Sequence, residues 1–241
     1  MATPHGKETK GYVNGFDLTA FLKTLGVAGE ADPADCTTFG NQSKKYVPGL
    51  VDAKLKAEGV FDGLDPLAAD KVLKDIFGTA DSVWSYLPDG EGFGKVAFGA
   101  IAIEAAYEVE SEVGDIVQLS VEGQSNSGME AGHVLHALGA EVATGNGTNL
   151  DNTALTSNGL HAYLQVTDVT GAAPSLVVKV QHSVDNSVWV DLVTFTAVTA
   201  DNKAERKTIA AGTTINRHLR ARHEFGGTMS ATTYSLVAGR K

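Results

Sequence analysis

Residues 36–62 read CTTFGNQSKKYVPGLVDAKLKAEGVFD, and this stretch decides the fold. After a β-prone start, a polar loop (Asn41–Lys45) and a Tyr-Val-Pro-Gly corner, apolar residues alternate with charged ones. The apolar set is Val51, Ala53, Leu55 and Ala57, and the charged set is Asp52, Lys54, Lys56 and Glu58. Successive side chains of a strand point to opposite faces, so the pattern predicts a strand between a core and water. A boundary strand fed by a long polar loop favours a building block over a catalyst.

Composition limits the classes of protein that this chain can belong to. Its 241 residues suffice for one large or two modest domains, and its net charge is −10. Through Ala143 there are 10 Lys and Arg against 22 Asp and Glu, whereas the remainder has 9 against 7. This asymmetry predicts two units, and the acidic first unit argues against sequence-specific binding of nucleic acid. The single cysteine, Cys36, excludes an intrachain disulfide and a cysteine-rich zinc site.

The N-terminal residues MATPHGKETK are polar and lack the apolar run of a signal peptide. No stretch of the sequence approaches the length of a membrane-spanning helix. We therefore expect synthesis in the cytoplasm, no membrane anchor and no recognisable route of export.

The first half is predicted to be mainly β with one helix. Asn14-Gly15 between apolar residues indicates a hairpin, and Ser82–Leu87 and Lys95–Val113 are β-prone. A helix is predicted over residues 65–77, with Asp65 as N-cap, Pro66 in the first turn and Gly78 after the end. Its apolar stripe consists of Ala69, Val72, Leu73, Ile76 and Phe77.

A second amphipathic pattern follows around Gly114-Asp115. Apolar residues alternate there with Glu108, Glu110 and Glu112 before the turn and with Gln118, Ser120 and Glu122 after it. The pattern predicts an antiparallel hairpin with an acidic, water-facing side.

Residues 143–158, rich in Gly, Asn and Thr, mark a composition break, which predicts a first domain over 1–143 and a second over 144–241. Beyond the break the pattern is all β, with a hairpin turn at Asp185-Asn186-Ser187. Strands are predicted at 161–169, 176–183, 188–196, 206–209, 216–225 and 230–238. Short strands with short turns indicate a small immunoglobulin-like sandwich or jelly roll.

Several groups of residues are candidate sites of chemistry. Glu108, Glu110 and Glu112 lie on one strand face without a partner that would separate their pKa values, so a solvated acidic face is favoured over acid/base catalysis. His133 and His136 could ligate a metal only from a helix, and no second ligand cluster accompanies them. No nucleophile elbow or dinucleotide fingerprint is present. Residues 90–95 superficially resemble a phosphate loop but do not match its motif. We expect no enzyme, cofactor or metal.

Two features of the second half have alternative interpretations. Residues 217–224, RHLRARHE, could form an anion-binding strand or a charged outer face paired with acidic neighbours. Trp189 and Tyr163 could form a sugar-stacking platform, although Trp189 more readily fills the core of the second domain. Cys36 has no histidine partner in the sequence and is expected to be inert.

The order of elements resembles the major tail (tail tube) proteins of long-tailed, siphovirus-like bacteriophages of actinobacteria. The resemblance rests on TTFG-x₃-K-x-YVPGL-x-DA-x-L-x₃-G-x-FDG over Thr37–Gly63, together with the helix and the acidic hairpin. The second half resembles, by pattern only, the immunoglobulin-like modules appended to tail or capsid proteins.

This resemblance implies a tail-tube-type β-barrel or sandwich with one packed helix, and a structural role in the virion tail. Subunits of such tubes stack as rings, usually hexameric, and genomic DNA passes through the lumen as a non-specific passenger. The loop expected to contact the next ring comprises Ser43, Lys44, Lys45, Tyr46, Val47, Pro48, Gly49 and Leu50. The residues expected to face the lumen are Asp52, Lys54, Lys56, Glu58, Glu108, Glu110, Glu112, Gln118 and Glu122.

Under this interpretation the partners are further copies of the chain and other tail proteins, assembled in the host cytoplasm, with residues 144–241 as an outer decoration. A capsid decoration or other tail-surface protein is the nearest alternative. A carbohydrate-binding module that recognises host-surface glycans through Trp189 and Tyr163 is a different class. An enzyme acting on cell-wall glycans through Glu108 or Glu110 is the least favoured.

Overall fold

The computed structural model describes residues 5–63, 69–79 and 81–241. These residues form a mainly β fold with one α-helix, α1 (Ala69–Ile76), and a short 3₁₀ turn at Gly6–Glu8. The strands of the first half are β1 (Lys10–Val13), β2 (Phe16–Asp17), β3 (Leu22–Ala31), β4 (Ala34–Asp35), β5 (Tyr46–Val47), β6 (Val51–Val60), β7 (Ser82–Leu87), β8 (Val96–Glu110), β9 (Gln118–Ser125) and β10 (Glu130–Glu141). Those of the second half are β11 (Gly145–Asp151), β12 (Leu160–Ser183), β13 (Val190–Thr194), β14 (Lys203–Ile209) and β15 (His218–Arg240).

Thirteen of these strands form one antiparallel sheet, and β4 and β5 form a separate pair. The long strand β8 is where the sheet divides. Its first residues pair with β7 on one edge and β10 on the other, while its last residues pair with β9, which continues to β6 and β3. From β10 the sheet passes to β15 and then to β12.

Turn chemistry explains where several elements begin and end. Asn14 and Gly15 have φ of 49° and 85°, which confirms the predicted β1–β2 hairpin turn. Gly78 has φ of 69° just after α1, the left-handed conformation expected of a residue that ends a helix. The predicted N-terminal residues of this helix, Asp65 and Pro66, lie outside the described residues.

Other predicted boundaries are wrong. Residues 161–169 and 176–183 belong to one strand, β12, and residues 216–225 and 230–238 to another, β15, because bulges near Gly171 and Pro174 bend the paired strands without ending them.

The predicted domain boundary falls between β10 and β11, and the sheet runs across it. β10 and β11 both pair with β15, so residues 145–151 within the Gly- and Asn-rich stretch form a strand of the sheet. The division into two domains stays a prediction, with a continuous sheet at its boundary.

The core consists of three clusters. One packs α1 against β6, β8 and β9, and another fills the second half between β12, β15 and their neighbours. The third, here called the junction cluster, joins the halves and contains Tyr12, Val83, Leu87, Ala97, Val134, Tyr163 and Val237. Gln165 of β12 adds hydrogen bonds across the junction, accepting from Gly15 N at 2.7 Å and donating to Val83 O at 3.1 Å.

Candidate functional site

The charged residues of the first half meet on one face of the sheet formed by β3, β6, β9 and β8. In an antiparallel sheet, directly opposed residues point to the same side. Lys56 is opposite Glu122, and Ser120 is opposite Glu58 on one edge and Glu108 on the other. This surface, here called the charged face, carries Asp52, Lys54, Lys56, Glu58, Glu108, Glu110, Gln118 and Glu122. Every residue expected to face the lumen except Glu112 therefore lies on it.

Two lysines and five carboxylates leave the charged face net negative. Lys56 Nζ lies 2.7 Å from Glu58 Oε1, and this contact raises the pKa of Lys56 and lowers the pKa of Glu58. Asp52 accepts a hydrogen bond from Gln124 at the base of the face. Glu112 is exposed in the turn beyond β8 and is outside the ladder.

The opposite face of this sheet is buried where β6 and β9 meet α1. Leu55, Ala57, Leu119 and Val121 pack there against α1. Val51 departs from the predicted pattern, because this first residue of β6 is 72% exposed and lies outside the cluster that packs on α1. The strand thus separates core from water over Ala53–Val60.

This four-stranded part has two free edges within the described residues. β3 pairs only with β6, and the last residues of β8, from Ala105 onwards, pair only with β9. Free edges present unpaired backbone groups that can pair with another chain.

Residues 32–50 extend the β3–β6 pair into a projection, here called the hairpin arm. Asp32 N donates to Leu50 O at 3.1 Å, and Cys36 N donates to Lys45 O at 2.9 Å. The pairing of β4 with β5 continues this ladder. The ladder covers only part of the arm. Asn41–Lys45 belong to no strand, in agreement with the polar loop predicted there from the sequence.

Nearly all side chains of the hairpin arm are exposed, including the whole proposed inter-ring segment Ser43–Leu50. Apolar side chains are among them: Phe39, Tyr46, Val47 and Leu50. A monomer gains no burial from these groups, and exposed apolar clusters of this kind are common at contact surfaces. Cys36 lies at the base of the arm, exposed and unpaired.

Residues 217–224 fit a charged outer face with acidic neighbours better than an anion-binding strand. Lys179 of β12 contacts both Asp191 and Glu224 at 2.9 and 3.0 Å, and Arg222 donates to Glu224 at 2.8 Å. Arg217 pairs with Asp151, whereas Arg220 has no acidic partner among the described residues and donates to Gln181 at 2.9 Å. His223 is buried on the inner side of this strand.

The sugar platform is wrong, because the two aromatic residues are not brought together on a surface. Tyr163 is fully buried in the junction cluster. Trp189 does not fill the core either. It is half-buried, and the guanidinium of Arg220 lies 4.1 Å from its ring centre.

Sequence reasoning missed several buried polar residues. His136 lies beside Glu141 and His223, and His133 is not part of this group. All four residues lie on strands, so His133 and His136 do not have the helical spacing that a metal site formed by the two would need. Glu104 is buried on β8, and Glu130 forms an ion pair with Arg206. No local pattern marks these residues, since each acquires its surroundings from strands distant in sequence.

Among the described residues no helix is both long and apolar enough to cross a membrane. No protein-family model and no curated protein matches the sequence.

Solved structures of phage-like particles are distantly similar. A chain of the native gene transfer agent virion shares 17% identity with a TM-score of 0.43, covering 54% of this chain and 98% of that chain. Dit of phage SPP1, described as a hub protein of the adsorption apparatus, shares 10% with a TM-score of 0.37, covering 96% and 98%. A chain of the activated phage p2 baseplate with Sr shares 10% with a TM-score of 0.34, covering 97% and 98%. These likenesses are too distant to assign a family or a function.

Proposed function

We propose that the chain is a structural protein of a bacteriophage tail that assembles into stacked rings and forms the tail tube. The observation that carries this proposal is the charged face, a polar and net negative surface on a sheet whose other side is sealed by α1. The sequence resemblance over Thr37–Gly63 supports the same class of protein.

The free edges of β3 and β8 provide a route to a ring. If β3 of one copy pairs with the end of β8 in the next copy, the contact is heterologous, and repeated around an axis it closes. Closure removes both edges and turns the charged faces towards one lumen. Residues 144–241 form an outer decoration in this arrangement.

The charge of the face suits the passage of DNA. The net negative lumen repels the phosphate backbone, so DNA passes without binding. The pairing of Lys56 with Glu58 leaves few free cations to hold phosphate. DNA is a passenger in this proposal, and the binding partners are further copies of the chain and other tail proteins.

The hairpin arm supplies the contact between rings. Its exposed Tyr46, Val47 and Leu50 gain burial only against another subunit. The β4–β5 pairing holds the arm extended, which reduces the entropy lost on docking.

Electron microscopy of the purified protein at increasing concentration tests the proposal, with sedimentation as the quantitative measure. Rings or tubes are expected, together with localisation along the tails of virions. Deletion of Asn41–Lys45 is expected to leave circular dichroism and melting unchanged and to abolish tubes. A protein that stays monomeric at high concentration and is absent from tails contradicts the proposal, and labelling on heads favours a capsid decoration protein.

A matched pair of variants isolates the contribution of the arm. Leu50→Ser removes a side chain that is 87% exposed on the arm, and Leu155→Ser removes one that is 65% exposed in the second half. Only the first is expected to raise the concentration needed for assembly. Equal effects of the two substitutions would remove the arm from the ring-to-ring contact.

A further inference from the structure

Three side chains with metal-binding atoms converge where β10 shifts register against β15. His136 and Glu141 belong to β10 and His223 to β15, and their ligand atoms all lie within 4.8 Å of one another. Nε2 of His136 is 3.0 Å from Oε1 of Glu141, and Nε2 of His223 is 3.5 Å from Oε2. The pairing of β10 with β15 shifts on both sides of His136. Such irregularities redirect side chains and recur next to functional sites.

The spacing of these atoms suits a small tetrahedral cation. Zinc lies about 2.0–2.2 Å from imidazole nitrogen and carboxylate oxygen, which sets ligand atoms about 3.4 Å apart in a tetrahedron. The 3.0 and 3.5 Å contacts, which go to the two different oxygens of Glu141, lie on either side of that value, and all the ligand atoms lie within 4.8 Å of one another. Two imidazoles and one carboxylate form a donor set that transition metals favour over Mg²⁺ or Ca²⁺.

Tyr234 holds both imidazoles through their other nitrogens. Nδ1 of His136 is 3.2 Å from the Tyr234 carbonyl oxygen, and Nδ1 of His223 is 2.9 Å from the Tyr234 hydroxyl. The Tyr234 ring also stacks on His136 at 4.0 Å between centres. Histidines that ligate metals are commonly oriented in this way, by a partner on the nitrogen that faces away from the metal.

The contact between His136 and Glu141 requires a positive charge. A carbonyl only accepts, so Nδ1 of His136 carries a proton, and a neutral ring then presents the lone pair of Nε2 to the Glu141 carboxylate at 3.0 Å. Two acceptors at this distance repel unless a second proton or a bound cation lies between them. A cation also satisfies His223, which faces the same carboxylate.

His223 needs a change of tautomer to join the site. Its Nε2 lies 3.0 Å from the Ala143 carbonyl, to which it donates in the absence of a metal. With the proton moved to Nδ1, the Tyr234 hydroxyl accepts it and Nε2 is free to bind. Glu141, 35% exposed, gives the cation access from solvent.

We propose that His136, Glu141 and His223 bind one divalent transition-metal ion, best matched by Zn²⁺, with water as the fourth ligand and Tyr234 as the positioning residue. The ion ties the end of β10 to both arms of the bent strand β15, because Tyr234 and His223 lie on either side of the bend. Its role is to stabilise the fold.

Calorimetric titration of tag-free, chelator-treated full-length protein with ZnCl₂ tests the site. One equivalent is expected to bind and to raise the melting temperature. Glu141→Gln retains the shape of a half-exposed side chain and is expected to weaken binding at least about tenfold. His133→Gln, on the same strand outside the cluster, is the control and should bind as the parent does.

The absorption spectrum of added Co²⁺ distinguishes a metal site from a purely structural hydrogen-bond network, which would not change that spectrum. Visible absorption typical of tetrahedral Co²⁺ is expected in the parent protein and in His133→Gln, and its loss is expected in His136→Gln. Absence of saturable Zn²⁺ binding would overturn the proposal. Unchanged affinity in both Glu141→Gln and His136→Gln would overturn it as well.

Discussion

At the scale of single residues, Glu104 shows how one bulge decides the state of a carboxyl group. Ala105 is the extra residue between the pairs Glu104–Gly123 and Ala106–Glu122, so the alternation of β8 reverses there. Glu104 consequently points inward and is 1% exposed, whereas Glu108 and Glu110 point to water. No described residue bonds its carboxylate oxygens, and burial raises the pKa of Glu104 to about 8.

Glu104→Gln should therefore stabilise the protein at neutral pH. Between about pH 4.5 and 8 the folded state keeps a proton that the unfolded state releases. The unfolding free energy of the parent therefore falls by about 1.4 kcal/mol for each unit by which the pH rises. The amide does not titrate, so about 2.5 pH units at about 1.4 kcal/mol each give an expected gain of about 3 kcal/mol at pH 7. Urea unfolding across this pH range measures it.

The exposed Glu108→Gln serves as the control and should stay within about 0.5 kcal/mol of the parent. At pH 4 the parent and Glu104→Gln should be equally stable. A parent protein whose stability does not fall between pH 5 and 8 would show that the Glu104 carboxyl is solvated.

Glu130 has the opposite behaviour, because its charge is paired. Burial alone would raise its pKa, but hydrogen bonds from Arg206 and Tyr163 prevail and lower the pKa of Glu130 to about 2. Arg206 binds both carboxylate oxygens, at 2.7 and 2.8 Å, and Lys241 lies 3.3 Å away. The network links β10 to β12 and β14, beside the junction cluster.

Arg206→Met should destabilise the protein by about 3 kcal/mol, because it removes the bidentate partner of a buried carboxylate and leaves it with the Tyr163 hydroxyl and Lys241. The stability that Glu130 contributes is present above about pH 4.5 and is lost as pH falls towards 2, so the variant should also show a flatter acid limb. Chemical unfolding at pH 7 and pH 3 measures both effects. Arg217→Met, at the exposed pair with Asp151, is the control, and an equal loss there would contradict the assignment.

At the scale of elements, the close approach of two strands depends on a glycine at the point of contact. Gly99 of β8 lies under the ring of Tyr163, and a Cβ there would come within 2.3 Å of that ring. The absence of a side chain lets β8 and β12 approach closely enough to seal the junction cluster.

Gly99→Ala is expected to cost about 1–3 kcal/mol, because the buried Tyr163 ring has no space to move. Gly26→Ala is the matched control, since a Cβ there meets nothing within 4 Å on another strand of the same sheet. Thermal unfolding of the two variants compares them directly. Similar melting temperatures would show that the crossing is loose.

At the scale of the whole molecule, the two predicted domains share structure. The sheet is continuous through β10, β15 and β12, and the junction cluster draws residues from both halves. Loss of either half would expose this cluster to water, so the halves should unfold together.

The two tryptophans test this coupling, because Trp84 reports the first half and Trp189 the second. In the variants Trp84→Phe and Trp189→Phe, the remaining fluorescence should give coincident urea transitions. If the urea midpoints of the two variants differ by more than their difference in overall stability explains, the halves unfold independently and the coupling is contradicted.

The sequence by itself determined the mainly β class, the Asn14-Gly15 turn, the strand Ser82–Leu87, the end of α1 at Gly78 and the two-sided character of β6. These features follow from turn conformations and from periodicity within a few residues, which the chain encodes locally. The tertiary structure decided the burial of Glu104, the union of predicted strands in β12 and β15, and the meeting of His136, Glu141 and His223. Each of these depends on register between strands distant in sequence, and one bulge is enough to reverse which face a residue occupies.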